Sequence, residues 1–174
     1  MPISNLTTIS GTPFLRFLST SGDGNVANSV ATGDYSGAAT DFYFQPGATQ
    51  VFRIGMTQFT VSDNATFNQG DYAGIAAGLT NGVKLFQRIN SVETQLIGGF
   101  TIKTNKDFFA ASPDVELSTF AGTAQTISIA FKTFADSNAY LTLDGRTSDR
   151  IIVRLNDNFT SLVDQRFIIR GNRL

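Results

Sequence analysis

From Asp41 onward apolar and polar residues alternate with a period of two, the spacing that lines one face of a β-strand. In Gln125 to Lys132, Ile127, Ile129 and Phe131 fall on one side while Thr126, Ser128 and Lys132 fall on the other. Arg150 to Leu155 repeats the pattern with Ile151, Val153 and Leu155. Shorter versions are Phe42/Phe44, Val83/Leu85, Leu141/Leu143 and Phe167/Ile169. In VFRIGMTQFTV the parity changes between Phe52, Ile54, Met56 and Phe59, Val61. One extra residue flips the two faces of a strand, so a β-bulge is predicted near Gly55.

Turn chemistry separates these runs. Asn81-Gly82 and Asp144-Gly145 tolerate positive φ, and Asn90-Ser91 is placed to close a hairpin between VKLFQRI and ETQLIGG. Helix is scarce. DNFTSLVDQ has the spacing for two turns, capped by Asn158 with Phe159, Leu162 and Val163 on one face. NKDFFAA has the length for one. The predicted class is all-β, a β-sandwich or jelly roll with one or two short helical turns.

Residues 1–40 break the pattern. They are rich in Gly, Ser, Thr, Asn and Ala, and their large apolar residues cluster at Phe14, Leu15, Phe17 and Leu18. Within SGDGNVANSVATGDYSGAAT (21–40), Gly22, Gly24 and Ala27 match the G-x-G-x-x-A turn that cradles a pyrophosphate. That turn must open an amphipathic helix, and no apolar stripe of helical period follows it. The expected organisation is therefore an extended N-terminal arm over 1–40 and a β-sandwich domain over 41–174.

Composition narrows the chemistry. The chain has 174 residues, enough for one domain with a real core, and that core must be built on 16 Phe, since Tyr numbers 4 and Trp is absent. Without Cys or His there is no thiol nucleophile, no imidazole base and no disulfide. Thirteen Lys and Arg against 14 Asp and Glu give no basic field, so no nucleic-acid partner is expected. No apolar run reaches membrane length, and MPISNLTTIS lacks the layout of a leader, so a soluble cytoplasmic product without a membrane partner is expected.

Asp136, Asp144, Asp149 and Asp157 are the candidates for a catalytic carboxylate pair. Each adjoins a Gly, Asn or Ser, where Asp ordinarily bonds its own turn. SDN (62–64) and NDN (156–158) offer oxygen ligands for Ca²⁺ but lack EF-hand spacing, and read as a turn and a cap. No catalytic residue, cofactor or metal is expected. Arg146, Arg150, Arg154, Arg166, Arg170 and Arg173 are interleaved with Asp144, Asp149, Asp157 and Asp164, the pattern of an intersubunit or solvated salt-bridge face.

Three stretches together carry a resemblance: YAGIAAGLTNGVKL (72–85), LIGGFTIKTNKDFF (96–109), and LTLDGRTSDRIIVRLNDNFTSL with FIIRGN (141–172). In that order they resemble a family of small structural proteins of tailed bacteriophages. In that family a YG…LTNG segment, an L-x-x-G-x-P-I-K-T-N-x-D-W segment and a closing LDG…D-(N/D)-F-S-G-L segment recur. Gly99-Phe100, Phe108 and Thr160-Ser161 depart from its pattern at Pro, Trp and Ser-Gly.

The resemblance covers 41–172. It implies a virion component, a non-enzymatic capsid decoration or cement protein on the outer face of the head. Its partner would be the major capsid protein, with a homo-oligomer, trimer in preference to dimer. The expected partner-binding residues are Phe14, Leu15, Phe17 and Leu18 as anchor of the arm, together with Tyr35, Arg150, Arg154 and Arg170. The alternative is a head-fibre or tail-associated module binding cells or carbohydrate, for which Tyr35 and Tyr43 are the candidate platforms.

Overall fold

The computed structural model describes residues 11–24, 29–96, 99, 101–111, 115–120, 124–132 and 140–174, with backbone alone for 115–120 and 124–132. Among these residues eleven strands, one α-helix and a 3-10 turn (Gly145–Thr147) occur. They are β1 (Thr12–Phe17), β2 (Thr40–Phe44), β3 (Val51–Asp63), β4 (Val83–Ile89), β5 (Val92–Gln95) and β6 (Thr101–Ile102). Then come α1 (Asn105–Ala111), β7 (Val115–Phe120), β8 (Ala124–Lys132), β9 (Leu141–Asp144), β10 (Arg150–Leu155) and β11 (Asp164–Arg173).

Two antiparallel sheets form a sandwich. The first runs β1-β11-β3-β8-β7, with β9 also on β3; the second runs β2-β10-β4-β5, with β6 also on β4. β9 pairs with Val51–Ile54 and β8 with Met56–Asp63, both on the side of β3 away from β11. The order β1-β11-β3-β9 in one sheet and β2-β10-β4-β5 in the other is jelly-roll wiring, in which the chain passes repeatedly from one sheet to the other.

The alternation explains the core. Phe52, Ile54, Phe59, Val61, Phe167 and Ile169 from the first sheet meet Phe42, Phe44, Val83, Leu85, Ile151, Val153 and Leu155 from the second. Phenylalanine edges stitch the layers, Phe44 to Phe52 at 5.1 Å and Phe42 to Phe167 at 6.1 Å, while Phe59 meets Phe167 within the first sheet at 4.9 Å, all edge-to-face.

The bulge falls where the parity places it. Arg170 pairs with Met56 and Gly171 with Ile54, so Gly55 is the extra residue. Inward positions pass from Phe52 and Ile54 to Thr57, Phe59 and Val61. Gly171 is required by close approach, because a Cβ there would lie 1.8 Å from the Arg53 carbonyl oxygen. At the β4–β5 hairpin, Asn90 and Ser91 both take positive φ, 50° and 67°, the two-residue turn their side chains tolerate.

Two expectations are corrected. The described part of 1–40 is not an arm. β1 pairs along its whole length with β11, and Ser19 then bridges to Tyr43 at the edge of the second sheet. Leu18 and Ala31 are fully buried. The segment is a staple across the open side of the sandwich, because strand alternation sends Phe14 and Leu18 inward. The glycines of the phosphate-loop match serve the same closure. A Cβ on Gly22 would lie 1.9 Å from the Tyr43 ring, and one on Gly24 would lie 2.6 Å from the Phe44 ring.

The second correction is DNFTSLVDQ, which is a turn leading into β11 and not a helix. Phe159 and Leu162 are buried, but Val163 is exposed. Tertiary contacts override the helical spacing: Asn158 bridges to Asp34, and the Phe159 ring lies between those of Tyr35 and Tyr72. NKDFFAA does form a helix, α1, whose Asp107 carboxylate accepts the Lys103 and Thr104 N–H groups, both at 2.9 Å.

Candidate functional site

The expected partner-binding residues divide between the core and two outer faces. Phe14 points inward, its ring 4.7 Å from Phe52 and 6.3 Å from Phe44. Leu18 belongs to the core and is unavailable to any partner. Tyr35 is half-buried, edge-on to Phe42 at 5.7 Å. Leu15 and Phe17 point away from the core on the first sheet, beside their register partners Arg170 and Ile168. Leu15 is 42% exposed, a large apolar side chain offered to solvent at a sheet edge.

Arg150 and Arg154 lie on the outer face of the second sheet. The register places Asp41 and Tyr43 of β2, Arg150, Ile152 and Arg154 of β10, and Lys84, Phe86 and Arg88 of β4 on that side. Arg154 is clamped. Its Nε and Nη2 donate to the two Asp41 oxygens at 2.6 and 2.9 Å, and Nη1 donates to Glu93 at 2.8 Å. Its guanidinium lies 4.7 Å over the Phe86 ring. Hydrogen bonding to Asp41, then to Glu93, pushes its pKa above an already high value and keeps it charged.

Arg150 stacks 4.9 Å over the Tyr43 ring, and its Nε is buried without an acceptor. Beneath this layer Ile152, though outside the main core cluster, is only 1% exposed. Tyr43, Phe86, Lys84 and Arg88 complete a face of which the sequence pointed to the two arginines and, for the carbohydrate alternative, Tyr43. The signal was the polar half of the same alternation in TDFYF and VKLFQRI.

The candidate catalytic carboxylates are held by turns. Asp144 accepts the Arg146 backbone N–H and pairs with its guanidinium at 2.6 Å, which lowers the carboxyl pKa. Asp149 accepts the N–H groups of Asn90 and Asp144 at 2.9 and 3.1 Å. Asp157 accepts those of Thr80, Asn81 and Gly82. Asp136 lies outside the described residues. In the Ca²⁺ candidates, Asp63 accepts from Asn64 and Gly74, and Asn158 accepts from Thr160. Among the described residues no three acidic groups gather as a metal site.

At the end of the sandwich holding residues 64–82 and 156–163, a buried polar chain joins three segments. The Tyr72 hydroxyl donates to Gln165 Oε1, and Gln165 Nε2 donates to the Ala31 carbonyl at 3.0 Å. Burial, with the Asp157 charge second, pushes the Tyr72 phenol above its ordinary value of 10.0. A raised folded-state pKa means that its stabilisation is complete below the unfolded value and is lost above it. Stability should therefore fall above roughly pH 10, by about 1.4 kcal/mol per pH unit from this group. Urea titrations of Tyr72→Phe between neutral and strongly alkaline pH should show a flatter alkaline limb; an unchanged slope would assign alkaline unfolding to other groups.

At the opposite end, a cleft of about 530 Å³ is floored by Phe44 and Phe52 and rimmed by Arg16, Arg173 and Asp23. Among the described residues no helix is long and apolar enough to cross a membrane. The chain matches no family model, no curated protein and no solved structure.

Proposed function

We propose that this chain is a non-enzymatic decoration protein of a tailed-phage head, binding the shell's outer surface and tying major capsid subunits together, as a homo-oligomer with a trimer in preference to a dimer. The observation that carries this reading is a division among the polar side chains. Asp144, Asp149 and Asp157 are spent on backbone turns, where each accepts N–H groups. Leu15, Phe17 and Arg170 on one outer face, and Arg150 and Arg154 on the other, are presented outward on a rigid two-layer body. Such an arrangement suits adhesion better than acid–base chemistry. The motif resemblance over 41–172 supplies the virion setting.

The carbohydrate-binding alternative is weakened by its own candidates. One face of Tyr43 is covered by Arg150, and its hydroxyl donates to the Ser21 carbonyl at 3.2 Å. Tyr35 spends its ring on Phe42 and Phe159.

The test is co-sedimentation of purified protein with expanded and unexpanded heads assembled from the major capsid protein of the same genome. Saturable binding at a fixed ratio to capsid subunits, with a rise in shell melting temperature, is the expected result. Failure to bind either form, with binding on a glycan array, would overturn the proposal in favour of the adhesin.

A further inference from the structure

On the outer face of the second sheet, Arg150 and Arg88 are direct register partners on β10 and β4. Side chains in such a pair leave the sheet about 5 Å apart, and like charges placed so are destabilising. Neither has a carboxylate partner among the described residues; Glu93, the register partner of Arg88, instead reaches Arg154. Arg150 lies over the Tyr43 ring with a buried, unsatisfied Nε–H, so it is held by a cation–π contact rather than by an ion pair. Across the face, Lys84, Arg88, Arg150 and Arg154 stand against Asp41 and Glu93, a local positive excess in a chain whose net charge is −1.

We infer that this face docks an acidic protein surface, with the Arg88–Arg150 pair receiving a carboxylate of the partner. An incoming carboxylate would relieve the like-charge contact and accept hydrogen bonds from the two guanidinium groups. A protein surface fits better than a polyphosphate. Asp41 and Glu93 lie on the same face and would repel a continuous run of phosphates, whereas a partner of mixed charge can answer both signs. The inference rests on the decoration reading only for naming the capsid subunit as that partner.

A fluorescein-labelled hexaglutamate peptide tests the site directly by anisotropy at low salt. Wild type should bind, and Arg88→Ala/Arg150→Ala should lose about tenfold or more in affinity. Lys103→Ala/Lys106→Ala, removing two exposed cations elsewhere, should not. Arg88→Glu alone guards against misfolding, because that side chain has no described partner to lose, and it should abolish binding.

Equal losses in both double variants, no peptide binding by wild type, or tighter binding of a duplex oligonucleotide through the same arginines would each overturn the inference. On heads, wild-type binding unchanged by the arginine variants would overturn this docking face and leave the decoration proposal standing. Peptide binding through the arginines without head binding would support the site and reject the shell as its partner.

Discussion

Removing residues 1–40 should abolish the fold. A free arm would leave a cooperative β domain behind, but these residues supply the edge strand beside β11 and part of the core. Truncation strips six register pairs from Phe17↔Ile168 to Thr12↔Arg173 and exposes the β11 edge. It also removes the Leu18, Ala31 and Tyr35 N–H bonds to the Phe167, Gln165 and Asp157 carbonyls. Leu18 and Ala31 leave the core, and Phe14 leaves the rings of Phe44 and Phe52. At roughly 1.5–3 kcal/mol for each large buried apolar side chain, plus the lost ladder, the deficit approaches the whole stability of about 5–15 kcal/mol typical of a domain. The 41–174 fragment should show no cooperative thermal transition and poor amide dispersion in a ¹⁵N correlation spectrum. A sharp melt within a few degrees of the full chain would restore the arm.

The contrast between β1 and the later strands shows what local pattern can carry. Runs such as RIIVRL declare their inner face because each is long and alternates cleanly, and the bulge at Gly55 was visible as a change of parity within one strand. β1 alternates too, with Phe14 and Leu18 inward and Leu15 and Phe17 outward, but its Gly- and Ser-rich surroundings hid this. Its pairing partner also lies some 150 residues away in β11, a long-range fact that no local window contains. The turn at 156–163 failed for the opposite reason. Its spacing imitated a helix, while Asp157, Asn158 and Phe159 were each committed to distant partners.

The candidate site was half legible. Arg150 and Arg154 stood out as charges among aliphatic residues, yet their meaning depends on β4 and β2 lying on either side. Only the register brings Arg88 opposite Arg150, and Asp41 opposite Arg154. Charge counting along the chain read the arginine-rich end as one mixed salt-bridge face. The fold instead sends Arg170 to the first sheet and Arg150 and Arg154 to the second, so two surfaces of different chemistry replace it.

Asp157→Ala should be the most damaging single substitution among the candidate carboxylates. The side chain is 8% exposed and gathers the N–H groups of Thr80 at 3.0 Å, Asn81 at 3.1 Å and Gly82 at 2.8 Å. That turn has Gly82 at φ +75°, and Asn81 Nδ2 returns a bond to the Asn156 carbonyl at 2.6 Å, so the two loops hold each other. Alanine would leave these donors unpaired at a site too closed for water to replace all of them. Each bond to a charged acceptor contributes about 1.5–3 kcal/mol, and the losses overlap, so about 3–5 kcal/mol of stability should go. The melting temperature should drop by about 10 °C. Asp157→Asn keeps one acceptor oxygen and should lose roughly half as much. If urea unfolding places Asp157→Ala within about 1 kcal/mol of wild type, the turn at 80–82 is self-supporting and the carboxylate is free for another use, which would reopen the acid–base reading of this loop.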